Sequence, residues 1–359
     1  MIADKKQPWL HSPLLDGLFI LSPPFLCLLA IILFPGFFQP DNNVIPVTAW
    51  IVLVLLIDVG HVWSTLFRTY FDKNVFQLHK ALLTLVPALA WVLGMLLYAM
   101  EGMLFWRVLA YLAVFHFVRQ QYGFLRIYAR GEMLTGLERK IDTITIYSAT
   151  VYPLIYWHLS GPKRFNWFLE GDFYILWQPN VLPFLTTGYV AVILIYLIKE
   201  VQLIRRLQQV NLPRNLTVLG TLLSWYFGIV YFNGDLAFTT LNVVSHGIPY
   251  MALVWIFGKQ KYKSRQKTAG RIERLAFGAK GVLFFAGVIF FIAYLEEGLW
   301  DALVWRDHET VFSPFASLPF IENEFLLTII VPALALPQLT HYILDGFIWK
   351  NSWGHETKG

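Results

Sequence analysis

Cysteine is almost absent from this chain: Cys27 is the only one in 359 residues. With one thiol, no disulfide can close within the chain and no cysteine-based metal site can be built from it. Charge is scarce too. Asp, Glu, Lys and Arg make up 14% of the residues, where a soluble domain carries roughly 25%. The start, MIADKKQPWLHSP, lacks the pattern of a cleavable signal peptide, so the first apolar run is expected to stay as an uncleaved anchor. There is no GxSxG elbow and no HExxH helix, which argues against the common hydrolase layouts. No internal repeat or low-complexity segment is visible.

What the chain does have is apolar length. It is 57% hydrophobic and 17% aromatic. Its apolar runs are continuous over about 20 residues, the length of a helix that spans a bilayer, and not the ten-residue alternations of a membrane barrel. Backbone groups in hydrocarbon must pair internally, so helices are the remaining solution. The expected fold is all-α: a polytopic membrane bundle of about ten transmembrane helices forming one domain over residues 1–359. The expected spans are 15–38, 46–68, 80–100, 103–127, 141–160, 181–204, 215–233, 236–258, 277–299 and 325–348.

The connections alternate in charge. One set holds Lys5 and Lys6; Arg68, Lys73 and Lys80; Arg126, Arg130, Arg139 and Lys140; Arg205, Arg206 and Arg214; KQKYKSRQK at 259–267; and Lys350. The other set is QPDNN at 39–43, Glu101-Gly102, the 161–180 loop, Asn233-Gly234-Asp235 and 300–324, with only Lys163, Arg164 and Arg306 as bases. Basic loops stay on the cytoplasmic side. Both termini are therefore expected in the cytoplasm, and every even-numbered span runs inward. The net charge of +5 reads as topology, with contact to membrane lipids, and no nucleic-acid partner is expected. The expected location is a bacterial inner membrane.

Ionisable residues at membrane depth are costly and mark function by default. Span 2 carries Asp58, His61, Thr65 and Arg68 at spacings of three, four and three, which puts them on one helical face. Span 4 carries His116, Arg119, Gln120 and Gly123; span 8 carries Asn242 and His246; span 10 carries Gln338, His341 and Asp345; His79 stands at the entrance to span 3. All four histidine-bearing spans are even-numbered. Counted from their inner ends at about 1.5 Å per residue, His61, His341, His116 and His246 lie roughly 10, 13, 15 and 20 Å deep. A shared polar site in the cytoplasmic half is the expectation. His11, His158, His308 and His355 fall in loops, tails or span ends and are left out of it. A lone membrane histidine often only bonds a neighbouring helix.

Neutral imidazoles with one or two carboxylates are ligands for iron, zinc or manganese. The expected metal ligands are His61, His116, His246, His341, Asp58 and Asp345, with His79 and Gln120 as further candidates. That count suits two ions, or one ion with carboxylates orienting the histidines. Redox-active iron in a dry aromatic bundle suits oxygen chemistry on a lipophilic substrate. O2 and an electron donor would then be partners. Zinc would instead suggest hydrolysis. Arg119 is the candidate to hold an anionic group, and Tyr122 the candidate to donate a proton; both are expected to be catalytic.

The stretches LIDVGHVW, VFHFVRQQYGF, VVSHGIPYMALVW and THYILDGFIWK resemble the bacterial β-carotene 15,15′-dioxygenase (Brp/Blh-type) family. The resemblance covers the four histidine-bearing spans. It implies an integral membrane iron oxygenase with histidines drawn from several spans. The chain lacks the HxxxH and HxxHH boxes of membrane fatty-acid desaturases and hydroxylases.

Two other readings stand beside this one. Facing histidine pairs could ligate b-type haem in an electron-transfer or quinone-linked protein, although haem leaves Asp58 and Asp345 unexplained. Alternatively, the histidines and aspartates could form the proton relay of a transporter, with Pro23-Pro24 and Pro332/Pro337 as helix breaks.

Overall fold

A computed structural model describes residues 7–39, 45–266, 269–350 and 353. Lys5, Lys6, residues 40–43 of the QPDNN loop, Lys267 and His355 lie outside the described residues. Among those described, the regular structure is helical throughout, with no strand.

The main helices are α1 (Pro13–Leu21), α2 (Pro23–Leu33), α3 (Val47–Arg68), α4 (Lys80–Met100), α5 (Gly102–Tyr128) and α6 (Gly136–Ser160). They continue with α7 (Pro179–Leu207), α8 (Leu212–Trp225, prolonged by Tyr226–Tyr231), α9 (Asp235–Ser264), α10 (Gly281–Trp305), α11 (Glu324–Leu334) and α12 (Leu336–Ile348). Each of the ten expected spans is helical over most of its described length, with breaks such as 278–280 inside the expected span 277–299. Six helices (α3, α4, α5, α7, α9 and α10) are long and apolar enough to cross a membrane unaided. The pairs α1–α2 and α11–α12 are bent by 55° and 40°, which makes up to eight crossings by length and composition. Helices α6 and α8 do not meet that measure. Prolines at the breaks explain the bends: Pro23 and Pro24 open α2, and Pro337 sits in the first turn of α12, where a missing N–H costs nothing.

The ends of these helices are written in the sequence. Thr135 and Glu138 form a reciprocal capping box at the start of α6. Asn211 caps α8 by accepting from Arg214 N at 3.1 Å, and Asn323 caps α11 by accepting from Leu326 N at 3.0 Å.

The chain divides into two compact units. The first comprises residues 1–45 and 114–249, so it holds α1, α2, α6, α7, α8, most of the second half of α5 and the first half of α9. Its centre is a lock of buried charges. Arg214 is fully buried and grips Glu200 with both terminal nitrogens, at 2.6 and 2.8 Å. It also reaches Asp142 at 3.1 Å and Glu132 at 2.9 Å. Lys199 bonds both Asp142 and Glu200. Helices α6, α7 and α8 are thereby pinned at one point. Arg214, a basic loop residue by sequence, is instead buried in the first turn of α8, where three carboxylates from elsewhere converge on it. On α7 the usual order of a soluble helix is inverted. Lys199 and Glu200 are buried, while Phe184, Leu194 and Ile198 are more than half exposed. That surface suits lipid and not water.

The second unit comprises residues 46–113 and 250–359 and holds α3, α4, α10, α11, α12 and the remaining parts of α5 and α9. Its α3 is irregular. Ile51–Val59 is π-helical, Gly60–Ser64 is α-helical, and Thr65–Arg68 closes as a 3-10 turn. Such departures from the α-helix recur at functional sites. Gly60, at the junction, lets α10 come close: a Cβ there would meet the Phe290 ring at 3.3 Å. Trp63 Nε1 donates to Glu296 at 2.6 Å, and Gln338 Nε2 donates to the other carboxylate oxygen at 2.7 Å. One buried glutamate thus ties α3, α10 and α12 together.

Candidate metal centre

In the second unit, the α-helical turn after the π stretch carries His61, and α12 carries His341. Both side chains are 1% exposed. Their rings meet edge to face, with centroids 5.0 Å apart. Asp58 Oδ1 lies 3.6 Å from His61 Nδ1, as their spacing on one face requires. His341 Nδ1 lies 2.7 Å from Thr65 Oγ1, which is itself 3.2 Å from the Tyr250 hydroxyl. Tyr250 also hydrogen-bonds Asp345, which accepts from Trp349 Nε1 as well.

In the first unit, His116 on α5 and His246 on α9 are 2% and 1% exposed, with ring centroids 4.9 Å apart. Phe117 stacks flat on His246 at 3.5 Å and fixes the plane of that ring. Gln120 Nε2 donates to the backbone carbonyl of His246 at 3.0 Å. Its own Oε1, buried one turn after His116, has no partner.

His61, His116, His246 and His341 are one group: a ring nitrogen from each lies within 4.8 Å of the others. Four neutral imidazoles are a donor set for zinc, iron, copper or nickel. The orphaned Gln120 oxygen adds an acceptor on the His116 face of α5.

The remaining expected site residues fall elsewhere. None of Asp58, Asp345 and His79 belongs to the group that could hold an ion directly. Asp58 stands behind His61, and Asp345 behind Tyr250. His79, at the joint before α4, stacks flat on Trp353 at 3.9 Å, and burial pushes its pKa down. Arg119 is exposed and donates to the Tyr147 hydroxyl at 2.7 Å. Tyr122 stacks on Tyr147 and lines an outer cavity with Arg126, Arg139 and Lys140. Both residues thus contact Tyr147 on α6.

Sequence reasoning missed two residues that the structure singles out. Tyr250 lies one turn after His246, inside the quoted VVSHGIPYMALVW. Glu296 interrupts an otherwise apolar run in α10. The signal was there in both cases: a tyrosine on a histidine-bearing helix, and a carboxylate within an apolar run.

Beside His341 there is an apolar cavity of about 310 Å³, lined among others by Leu66, Pro87, Leu336 and Leu344. Thr340 also lines it, and its hydroxyl has no partner. Comparison with family models, with curated proteins and with solved structures finds no match.

Proposed function

We propose that this chain is an integral membrane metalloenzyme in which His61, His116, His246 and His341 hold one iron ion for oxygenation of a lipophilic substrate. The observation that carries the reading is the group of four buried imidazoles. A single group of four supports one ion in place of the two that the ligand count suggested. Charge supports a cation there. Among the described residues, no Lys or Arg is paired with Asp58 or Glu296, although both stand in the unit that bears His61 and His341. A dication provides the positive charge that these carboxylates lack.

Bound iron would supply the means to activate O2. The chain's own residues do the rest. Apolar walls exclude water, the cavity beside His341 receives an apolar chain or ring, and the Thr340 hydroxyl meets an oxygen on it. The resemblance to Brp/Blh-type enzymes points the same way. Haem is the weaker reading. Axial imidazoles across a haem iron hold their ring centroids about 6 Å apart, whereas both histidine pairs are closer, at 5.0 and 4.9 Å.

The topology belongs to the same proposal: ten crossings, both termini cytoplasmic, and the histidines in the cytoplasmic half of a bacterial inner membrane. Labelling of single cysteines placed in residues 259–266 tests it. Reaction with an impermeant reagent outside sealed cells would overturn it.

The function is tested by metal content and O2 uptake of the purified protein. Wild type and His11→Ala should retain about one iron per chain. His116→Ala and His341→Ala should lose it while remaining folded. Equal metal in all four, or a Soret band, would sink the reading.

A further inference from the structure

His341 and Asp345 sit one turn apart on α12, yet the contacts between them run through two other helices. Asp345 accepts from Trp349 Nε1 and from the Tyr250 hydroxyl. The guanidinium of Arg68 lies over the Trp349 ring at 4.8 Å and adds a positive charge beside the carboxylate. Tyr250 is 1% exposed, and its hydroxyl is 3.2 Å from Thr65 Oγ1. Thr65 Oγ1 is 2.7 Å from His341 Nδ1.

The direction of this chain follows from counting protons. A carboxylate only accepts, and each hydroxyl has a single proton to give. Tyr250 gives its proton to Asp345. The proton between Tyr250 and Thr65 must then come from Thr65. Having spent it, Thr65 can only accept from His341, so Nδ1 of that ring carries the hydrogen. The lone pair is left on Nε2.

We propose that Thr65, Tyr250 and Asp345 form a one-way hydrogen-bond relay that holds His341 as the Nδ1–H tautomer and offers Nε2 as its ligand atom. These three are positioning residues. The relay rests on the metal reading for its purpose but not for its existence, since the tautomer is a property of the protein alone. It accounts for the spacing on α12: the carboxylate is placed one turn along, where Tyr250 can reach it, so its charge acts on the histidine through two hydroxyls. Metal-bound histidines are commonly backed by such an acceptor, whose loss costs about 10–100-fold in affinity.

The test uses the full-length protein in lipid, with ¹⁵N-labelled histidine, and Co²⁺ as the probe ion. Magic-angle NMR of wild type, with His341 assigned by difference from His341→Ala, should show a protonated Nδ1 and a bare Nε2. Tyr250→Phe and Thr65→Val should each mix the tautomers and weaken Co²⁺ binding about 10–100-fold, while Thr65→Ser should bind within about threefold of wild type. The melting temperature checks that each variant is folded. An Nε2–H tautomer in wild type overturns the relay. So does unchanged Co²⁺ affinity in both Tyr250→Phe and Thr65→Val. If wild type binds no Co²⁺, iron or zinc at all, the metal reading falls, and the NMR spectra alone decide the relay.

Discussion

The two units bury polarity in opposite ways. Around Arg214, every charge has an opposite charge against it: Glu200, Asp142 and Glu132 on the guanidinium, and Lys199 bridging two of them. Around His341, the partners are neutral. Trp63 and Gln338 serve Glu296, and two hydroxyls separate His341 from Asp345. The first arrangement is closed on itself and offers nothing to a ligand. In the second, the hydrogen bonds run away from His341, Glu296 is held by neutral donors, and the one nearby guanidinium, that of Arg68, stands beside Asp345 and not beside Glu296. Burial of a charged side chain in a membrane chain therefore does not identify a functional site. The identity of its partners does.

The strongest way to break the comparison is Arg214→Leu. It strands three carboxylates, and breaking a buried ion pair costs about 3–5 kcal/mol. The variant should melt far below wild type in detergent, or fail to accumulate. A melting temperature within a few degrees of wild type would show that the lock is dispensable.

Glu296→Gln is a milder test on the other side. The amide keeps the shape but puts an NH2 where Trp63 or Gln338 now donates, and leaving a buried donor unsatisfied costs about 1–3 kcal/mol. Stability should fall by less than in Arg214→Leu. Iron content should fall as well, since the site loses a negative charge. Unchanged iron would detach Glu296 from the site.

The smallest effect concerns His79. Burial lowers its pKa below the usual histidine value near 6.5. The unfolded chain then takes up the proton first. Its contribution to stability is complete above the unfolded value and is lost as pH falls through the folded one. Melting temperature should decline slightly between pH 7.5 and 5.5, and His79→Phe should flatten that slope. An identical slope in the variant would assign the acid sensitivity elsewhere.

Helical periodicity and the rarity of ionisable residues were enough to locate the four histidines and the helical character of all ten spans. They worked because each signal is local: His61 and Asp58 are three residues apart, and His341 and Asp345 four. The lock was invisible for the opposite reason. Arg214 lies 72 residues from Asp142 and 14 from Glu200, and nothing in a linear reading separates a paired arginine from a loop arginine. The π-helical stretch in α3 was also hidden, because a run of Ile, Val and Leu has apolar residues at every phase and carries no period to read. The contact of Arg119 with Tyr147 on α6 was likewise hidden, because the two are 28 residues apart in the chain.

The depth at which the four imidazoles lie has a kinetic consequence. None is more than 2% exposed, so an ion held among them has no ready aqueous path in or out. Exchange would have to wait for local opening of the helices, which sets its rate by conformational fluctuation and not by affinity. Loading of the purified protein is then slow and not absent. Protein made in iron-poor medium should take up added iron over hours, and loaded protein should surrender its ion to a chelator on the same timescale. Release within seconds at full native structure would mean that the centre breathes far more freely than its burial implies.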